Sequence, residues 1–574
     1  MNIMKTFRYA AVLLAVMATV SSCYEDLGNY EYHEINEIII TPGVYSYSTP
    51  AAGQTATVTL DPAVSQTMKE DTGNLSYVWK RQGAALSWEE VGHEPTYTFE
   101  VTSSDVQTIN FIFAVTDDEL GITTYAEIPV NPIFKFEQCW FLLQDVNGQA
   151  VLGSVDGEGD GRVVTSDIYR QETGISLDGS PKGLGVPPYR RSLPIREYPM
   201  DPGYEILLGV FTSAKPYILN GSTLEEHSSL DYWRILYGKK ASGDMSFNPQ
   251  MMQGHTNGFA IIDDGRLWYA VPDELALMYE AELGQTAGGG DYYATDMNLS
   301  YGRNAQCLVL YDSQGSRFLY YSNSGLGMGY NERADIIDGG GTADDAYFNP
   351  NQANTASLTD IEEGDLPNMF NPSALPAGLV MDNMGMTQVE NGVSNILATG
   401  HVGNTFHSYE MSMYSITGHT AGLSNCPNSW TVSMEGDVSS YGNGKIPVAT
   451  SDYFIRLFFY AAGNTIYKVD LTSDSPVITP LWTADDTGAV ITGLKMKSDT
   501  TNEDVRYGEE LLPKGIAHHM GAIVRHQDGS CDLVEFNLTA AGEIEQDGSG
   551  NQSVRVFDGF TNVVDFVFSY RERI

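Results

Sequence analysis

A chain of 574 residues is long enough for several domains or one large all-β unit with a substantial core, which excludes disorder throughout. Its 31 Lys and Arg against 74 Asp and Glu give a formal charge of −43. That field repels phosphate backbones and anionic head groups, so no nucleic acid is expected as a partner. A charged fraction of 18%, with 58 Gly and 34 Tyr, suits a turn-rich β protein and argues against a helical bundle.

In chain order, Lys5 and Arg8 precede an apolar run from Tyr9 to Val20 that ends in Val20-Ser21-Ser22-Cys23. This is the layout of a bacterial signal peptide over residues 1–22 with a lipobox. Small residues precede the cut, and the thiol of Cys23 follows it to carry diacylglycerol. The run is too short to span a bilayer, and no later stretch has the roughly 18 apolar residues a membrane helix needs. Lipid on Cys23 would then be the sole anchor; a secretory signal that merely contains a cysteine is the alternative. Residues 23–34 form an acidic tether with Glu25 and Asp26 close behind Cys23. This resembles the acidic export signal of Bacteroidota lipoproteins and implies lipid anchoring in the outer membrane, facing the extracellular side. A tether that is merely solvated is the other reading.

Beyond Cys23 stand Cys139, Cys307, Cys426 and Cys531. An even number permits disulfides, but cysteines this isolated behave more often as small buried hydrophobes, and no spacing suggests structural zinc. From residue 35 to 132, six short strands are expected: Ile35 to Ile40, Thr55 to Leu60, Leu75 to Trp79, Thr96 to Val101, Ile109 to Thr116 and Thr123 to Val130. Six strands in about 100 residues read as a β-sandwich. The period of two puts Ile109, Phe111, Phe113 and Val115 on one face, to pack against Tyr77 and Trp79. Tyr77-Val78-Trp79 followed by Val115-Thr116-Asp117 resembles PKD-type immunoglobulin-like domains. Together with the Cys-Tyr-Glu-Asp start and Trp140-Phe141-Leu142-Leu143, the first quarter is similar to PKD-like surface lipoproteins of Bacteroidota. The Phe-Gly-Asp-Gly turn usual in such domains is replaced by Lys80-Arg81-Gln82-Gly83. The resemblance implies a spacer or contact platform without catalytic residues.

Residues 139–574 repeat a theme of apolar strand, Gly/Asp/Asn turn and second strand. Five hairpins are clear: Trp140 to Leu152, Phe259 to Ala270, Leu308 to Tyr321, Phe454 to Val469 and Ile523 to Phe536. Ile206 to Leu219 and Ile396 to Met411 are less regular. Seven such units predict an all-β β-propeller of about seven blades, with Val563 to Tyr570 as the strand that closes the ring. Two further sandwiches are the alternative, and give that last run no special role.

Asp156, Glu158, Asp160 and Asp167 stand at positions that could form a calcium loop, although a bidentate Glu usually ends one. Calcium is the one cofactor contemplated; none is required. His401, His407, His419, His518, His519 and His526 could converge on a transition metal, but ordinary hydrogen-bonded histidines are the default. No GxSxG elbow or Gly-rich phosphate loop occurs. The stretch from Gln285 to Pro376 is rich in Gly, Asn, Asp and Tyr, with one clear hairpin inside it. Tyr292, Tyr293, Tyr330, Tyr347 and Phe348 are the candidate ligand-binding aromatics, expected to be partly exposed at one propeller mouth, where rings can stack on a sugar or peptide. The leading expectation is a non-catalytic surface lipoprotein that binds a glycan or peptide nutrient or docks onto a SusC/SusD-like uptake complex. A surface hydrolase or lyase built on the propeller is the runner-up.

Overall fold

The computed structural model describes residues 36–570 apart from gaps of six residues or fewer and the longer stretches 186–206, 227–244, 283–290, 323–357, 361–369, 413–425 and 498–517. The chain divides into two compact units, Met1–Ile133 and Phe134–Ile574.

The described residues of the first unit form β1 (Ile38–Thr41), β2 (Tyr45–Ser48), β3 (Thr55–Leu60), β4 (Ala63–Gln66), β5 (Leu75–Gln82), β6 (Trp88–Gly92), β7 (Tyr97–Thr102), β8 (Ile109–Asp117) and β9 (Ile122–Ile133). One sheet runs β2-β9-β8-β5-β6; β1 pairs with β4 and β3 with β7. Alternation in β8 sends Ile109, Phe111, Phe113 and Val115 into a single core with Val58, Leu60, Trp79, Phe99 and Val101. Trp79 is fully buried, lies 4.3 Å from the Phe113 ring and donates its indole N–H to the Glu94 carbonyl at 2.9 Å. Tyr77 also stacks on Phe113. The immunoglobulin-like sandwich expected from the sequence is therefore present. Strands β2, β4 and β6 escape the sequence pattern because they are short and offer few large apolar residues.

The second unit begins with β10 (Gln138–Val146), β11 (Gln149–Asp156), β12 (Val163–Thr165) and the short helix α1 (Ile168–Thr173). Then come β13 (Pro181–Gly185), β14 (Leu207–Thr212), β15 (Pro216–Asn220), β16 (Pro249–His255), β17 (Gly258–Asp263), β18 (Arg266–Pro272) and β19 (Met278–Glu282). They are followed by β20 (Ala294–Ser300), β21 (Cys307–Asp312), β22 (Arg317–Ser322), β23 (Leu358–Asp360), β24 (Val380–Val389), β25 (Val393–Val402), β26 (Thr405–Ser412) and β27 (Asn428–Ser433). The last are β28 (Val448–Ala449), β29 (Leu457–Ala462), β30 (Thr465–Asp470), β31 (Val477–Thr483), β32 (Val490–Met496), β33 (His519–Arg525), β34 (Ser530–Asn537), β35 (Val554–Thr561) and β36 (Val563–Tyr570).

Among the described residues, pairing sorts these strands into seven antiparallel sheets. They are β13-β14-β15, then β16 to β19, β20 to β23, β24 to β27, β28 to β31 and β32 to β35 in strict chain order, and lastly β36-β10-β11-β12. The first strands of successive sheets neighbour one another in the cycle β13, β16, β20, β24, β28, β32, β36 and back to β13. A closed ring of meander sheets is a β-propeller, here with seven blades. Each hairpin expected from the sequence supplies the second and third strands of one blade. Strand β36 closes the ring by pairing with β10, Trp140 opposite Phe568.

Six inner strands carry one extra residue each, Lys182, Gln250, Thr295, Asp382, Thr492 and Val564. These are β-bulges, which bend a strand and sharpen its twist. Two residues beyond each bulge a large apolar side chain is buried: Leu184, Met252, Met297, Met384, Leu494 and Phe566. An inner strand also has an edge with no partner strand, and side chains of adjacent inner strands supply partners there. Asn298 donates to the Met384 carbonyl at 2.8 Å, Thr450 to that of Met386 at 3.0 Å, and the Leu184 amide to Asp565 at 2.8 Å. Lys495 also reaches Asp565, at 2.7 Å, so one carboxylate joins three consecutive inner strands at the closure.

Candidate functional site

Connections between antiparallel strands alternate between the two ends of a blade. Links from first to second and from third to fourth strand therefore leave one face of the propeller; second-to-third turns and blade-to-blade links leave the other. The second-to-third turns are tight, as at residues 147–148, 264–265, 403–404 and 463–464. Two of them, Asn147-Gly148 and Asp264-Gly265, have positive φ at both positions, the type I′ turn that matches strand twist. Blade-to-blade links such as 361–379 and 434–447 must pass from the outer strand of one blade to the inner strand of the next, so the crossing sets their length. The opposite face bears the connections 186–206, 323–357, 413–427 and 497–518. The face of the second-to-third turns, which also bears the links 361–379 and 434–447, is called the trimmed face, and the opposite one the elaborated face.

This topology corrects the sequence reading of the aromatic stretch. Residues 285–376 do not carry a single hairpin: they contain the whole blade β20 to β23. Tyr292 and Tyr293 lie in the link from β19 to β20, on the trimmed face, whereas Tyr330, Tyr347 and Phe348 fall in the link from β22 to β23, outside the described residues, which leaves from the other face. Tyr292 is moreover 1% exposed. Its hydroxyl accepts from the Leu267 amide at 3.1 Å, and Arg266 lies over its ring at 5.1 Å. It is a packing residue and not an open stacking platform. Tyr293 is half-buried against the Gly265 turn, with its hydroxyl accepting from Gln250 at 3.1 Å.

The calcium-loop spacing also resolves differently. Strand β12 pairs with β11, Asp156 opposite Val163 and Ser154 opposite Thr165, so Asp156 stands at the mouth of the β11–β12 hairpin. Asp167 leaves at the far end as the N-cap of α1, accepting from the Arg170 amide at 3.2 Å. Glu158 and Asp160 lie outside the described residues, as does Cys23. Cys139, Cys426 and Cys531 are buried free thiols, and burial pushes all three thiols above their ordinary value.

The most strongly built polar cluster sits on the elaborated face, between the blade of β32 to β35 and that of β36 and β10 to β12. Glu535, 1% exposed at its side chain, accepts from both terminal nitrogens of Arg162 at 2.8 Å and from the Trp140 indole at 2.9 Å. Lys497 completes the set at 2.6 Å, with both side chains 1% exposed. Burial alone would raise the Glu535 carboxyl; the charge of Lys497 and the hydrogen bonds and charge of Arg162 outweigh it and hold the group at about 2. Lys497 is lowered to about 8, because burial and the Arg162 charge exceed what Glu535 returns. His519, beside them, is pushed down to about 3 by burial and by Lys497, and is neutral. With its oxygens taken up by Arg162, Lys497 and Trp140, Glu535 clamps the two blades together.

Glu410 repeats the arrangement between the blades of β24 to β27 and β28 to β31. It accepts from Asn395 at 2.8 Å, Asn428 at 2.6 Å and Arg456 at 3.1 Å. Sequence reasoning missed both clamps, since Arg162 and Glu535 are separated by 373 positions.

Among the described residues the histidines do not converge on one point. His401 is engaged by Asp382 at 2.8 Å, and His407 lies on β26 opposite Gly400. His518 lies edge-on to His519, ring centres 4.4 Å apart, and His526 sits between Asp486 and Asp532. His419 lies outside the described residues. Among the described residues, no group of three or more His, Cys, Asp or Glu could hold a metal ion.

An immunoglobulin-like module and a propeller both present connections on a rigid frame, the make-up of a binding-type protein. Residues 23–181 match the PKD-like family. The match covers the sandwich and continues through β10, β11, β12 and α1 to the first residue of β13. None of the curated proteins matches the chain. Among solved structures, a quinonprotein alcohol dehydrogenase-like protein from Bacteroides thetaiotaomicron is similar over 92% of this chain and 99% of its own, at 12% identity and a TM-score of 0.41. Apo AztD from Citrobacter koseri is similar over 72% of this chain and 81% of its own, with 12% identity and a TM-score of 0.30. The WD40 domain of SCAP from fission yeast is similar over 62% of this chain and 69% of its own, with 7% identity and a TM-score of 0.27. The strand pairing itself, and not these likenesses, establishes the propeller.

Proposed function

We propose that this is a surface lipoprotein, anchored through Cys23 in the outer membrane and facing outwards, which captures a glycan or peptide nutrient, or docks onto a SusC/SusD-like uptake complex, without catalysing a reaction. The observation that carries the reading is the set of long connections, 186–206, 323–357, 413–427 and 497–518, that leave one face of the propeller. A rigid ring with one elaborated face is suited to recognition, because long connections on such a frame are where ligands are met. The lipobox, the acidic tether and the PKD-like match over residues 23–181 support the anchoring.

The test of capture is retention of a panel of glycans and peptides by purified residues 23–574, with each ligand recovered and checked for cleavage. Saturable retention of intact ligand is expected; cleavage would replace this reading with the hydrolase or lyase. For location, protease shaving of intact cells should remove the protein and Cys23→Ala should release it into soluble fractions. Full protection in whole cells would place it in the periplasm.

A further inference from the structure

His526 lies in the turn between β33 and β34, on the trimmed face, and both of its ring nitrogens meet carboxylates. Nδ1 is 2.8 Å from Asp486 and Nε2 is 3.0 Å from Asp532. A neutral imidazole has one N–H and one lone pair, so it could satisfy only one of these groups and would turn its lone pair on the other. With both carboxylates ionised, the doubly protonated ring is the form that fits this geometry. Asp532 lies on β34, close to His526 in sequence, but Asp486 belongs to the link from β31 to β32, residues 484–489, which joins two blades. Asp486, Thr487, Gly488, His526, Gln527, Asp528 and Ser530 together line a surface depression. The charged groups acting on the ring are Asp486, Asp532 and, held by Ser530 at the rim, Asp528, with the cationic Arg525 next to it in the chain.

We propose that Asp486, His526 and Asp532 form a pH-operated latch, in which the imidazolium holds the β31-to-β32 link against the β33–β34 turn and loss of its proton to solvent releases that link beside the depression. Donation from the ring to Asp486 and Asp532 raises the histidine above its ordinary value, which fixes the direction. The latch is fully engaged below about 6.5, the unperturbed value, and is lost as pH rises through the raised folded value.

Hydrogen exchange of residues 484–490 in the full chain, corrected for the intrinsic rate, tests this. Protection should be flat from about pH 5.5 to 6.5, fall by up to tenfold per pH unit between 6.5 and the raised folded value, as one proton leaves, and level off above it. His526→Gln should give low protection independent of pH. Flat protection in the wild-type chain from pH 5.5 to 9, or an unchanged pH profile in His526→Gln, would overturn the latch. Should that variant fail to fold, the wild-type ring can be titrated by NMR. A midpoint above 6.5 is expected, moving down in Asp486→Asn; a midpoint at or below 6.5 rejects the proposal.

Discussion

At the scale of single residues, the two units rest on different chemistry. Trp79 occupies the sandwich core with no exposed surface and three aromatic neighbours, Phe113, Phe111 and Tyr97. Trp79→Ala should cost roughly 3–5 kcal/mol, as large-to-small core substitutions do; a loss under about 1 kcal/mol in the sandwich transition on denaturant unfolding would show the site collapsing without consequence. In the propeller, Glu535→Gln leaves Arg162 and Lys497 buried without their counter-ion and should cost roughly 3–5 kcal/mol. Glu543→Gln, which removes an exposed partner of Lys468, should cost less than about 1 kcal/mol. Equal losses would mean that burial does not matter here. Because Glu535 is held at about 2, its contribution is present above the ordinary carboxyl value of about 4.3 and disappears as pH falls through the folded one. An acid unfolding curve should therefore lose its steepest part in Glu535→Gln. The Trp79 environment was legible because alternation in β8 is a local signal. The Glu535 clamp was not, because its partners come from another blade.

At the scale of elements, second and third strands declared themselves and first and fourth strands did not. Second strands are almost wholly buried, as in β29, the apolar run Leu457-Phe458-Phe459-Tyr460-Ala461-Ala462, and a turn signal follows. First strands are interrupted by bulges and carry glycines such as Gly183, Gly385 and Gly493. Fourth strands are half-solvated: β27 alternates between intermediate and exposed along its length. Neither pattern stands out from loop sequence, which is why the blade of β20 to β23 reads as one hairpin in a polar stretch. The closing strand was legible because β36 follows β35 directly with an apolar run of its own. Its role predicts that a chain ending at Asn562 leaves β10 without its inner partner. Calorimetry should then show no cooperative propeller transition, while the sandwich transition persists; a propeller melting at the wild-type temperature would refute ring closure by β36. Asp565→Ala, which strips the Leu184 amide and Lys495 of their shared acceptor, should cost roughly 1–3 kcal/mol by the same measurement.

At the scale of the whole molecule, composition indicated the all-β class, and the hairpin count indicated the ring, but neither could say which residues share a face. That follows only from the direction of each strand, and it divides the aromatic stretch: Tyr292 and Tyr293 precede β20, whereas Tyr330, Tyr347 and Phe348 follow β22. If capture belongs to the elaborated face, the two mouths respond oppositely to change. Residues 323–357 join β22 to β23, and β22 is already paired along its length with β21, so a short turn in their place should leave the melting temperature nearly unchanged. The same replacement should abolish retention of whichever glycan or peptide the wild-type chain holds. On the trimmed face, Gly265→Ala places a Cβ at a φ of 74° and against the Tyr293 ring, so it should lower the melting temperature and spare retention. Ligand retention and thermal unfolding measured on both variants decide the matter: retention that survives loss of 323–357 but not the turn substitution would move capture to the trimmed face.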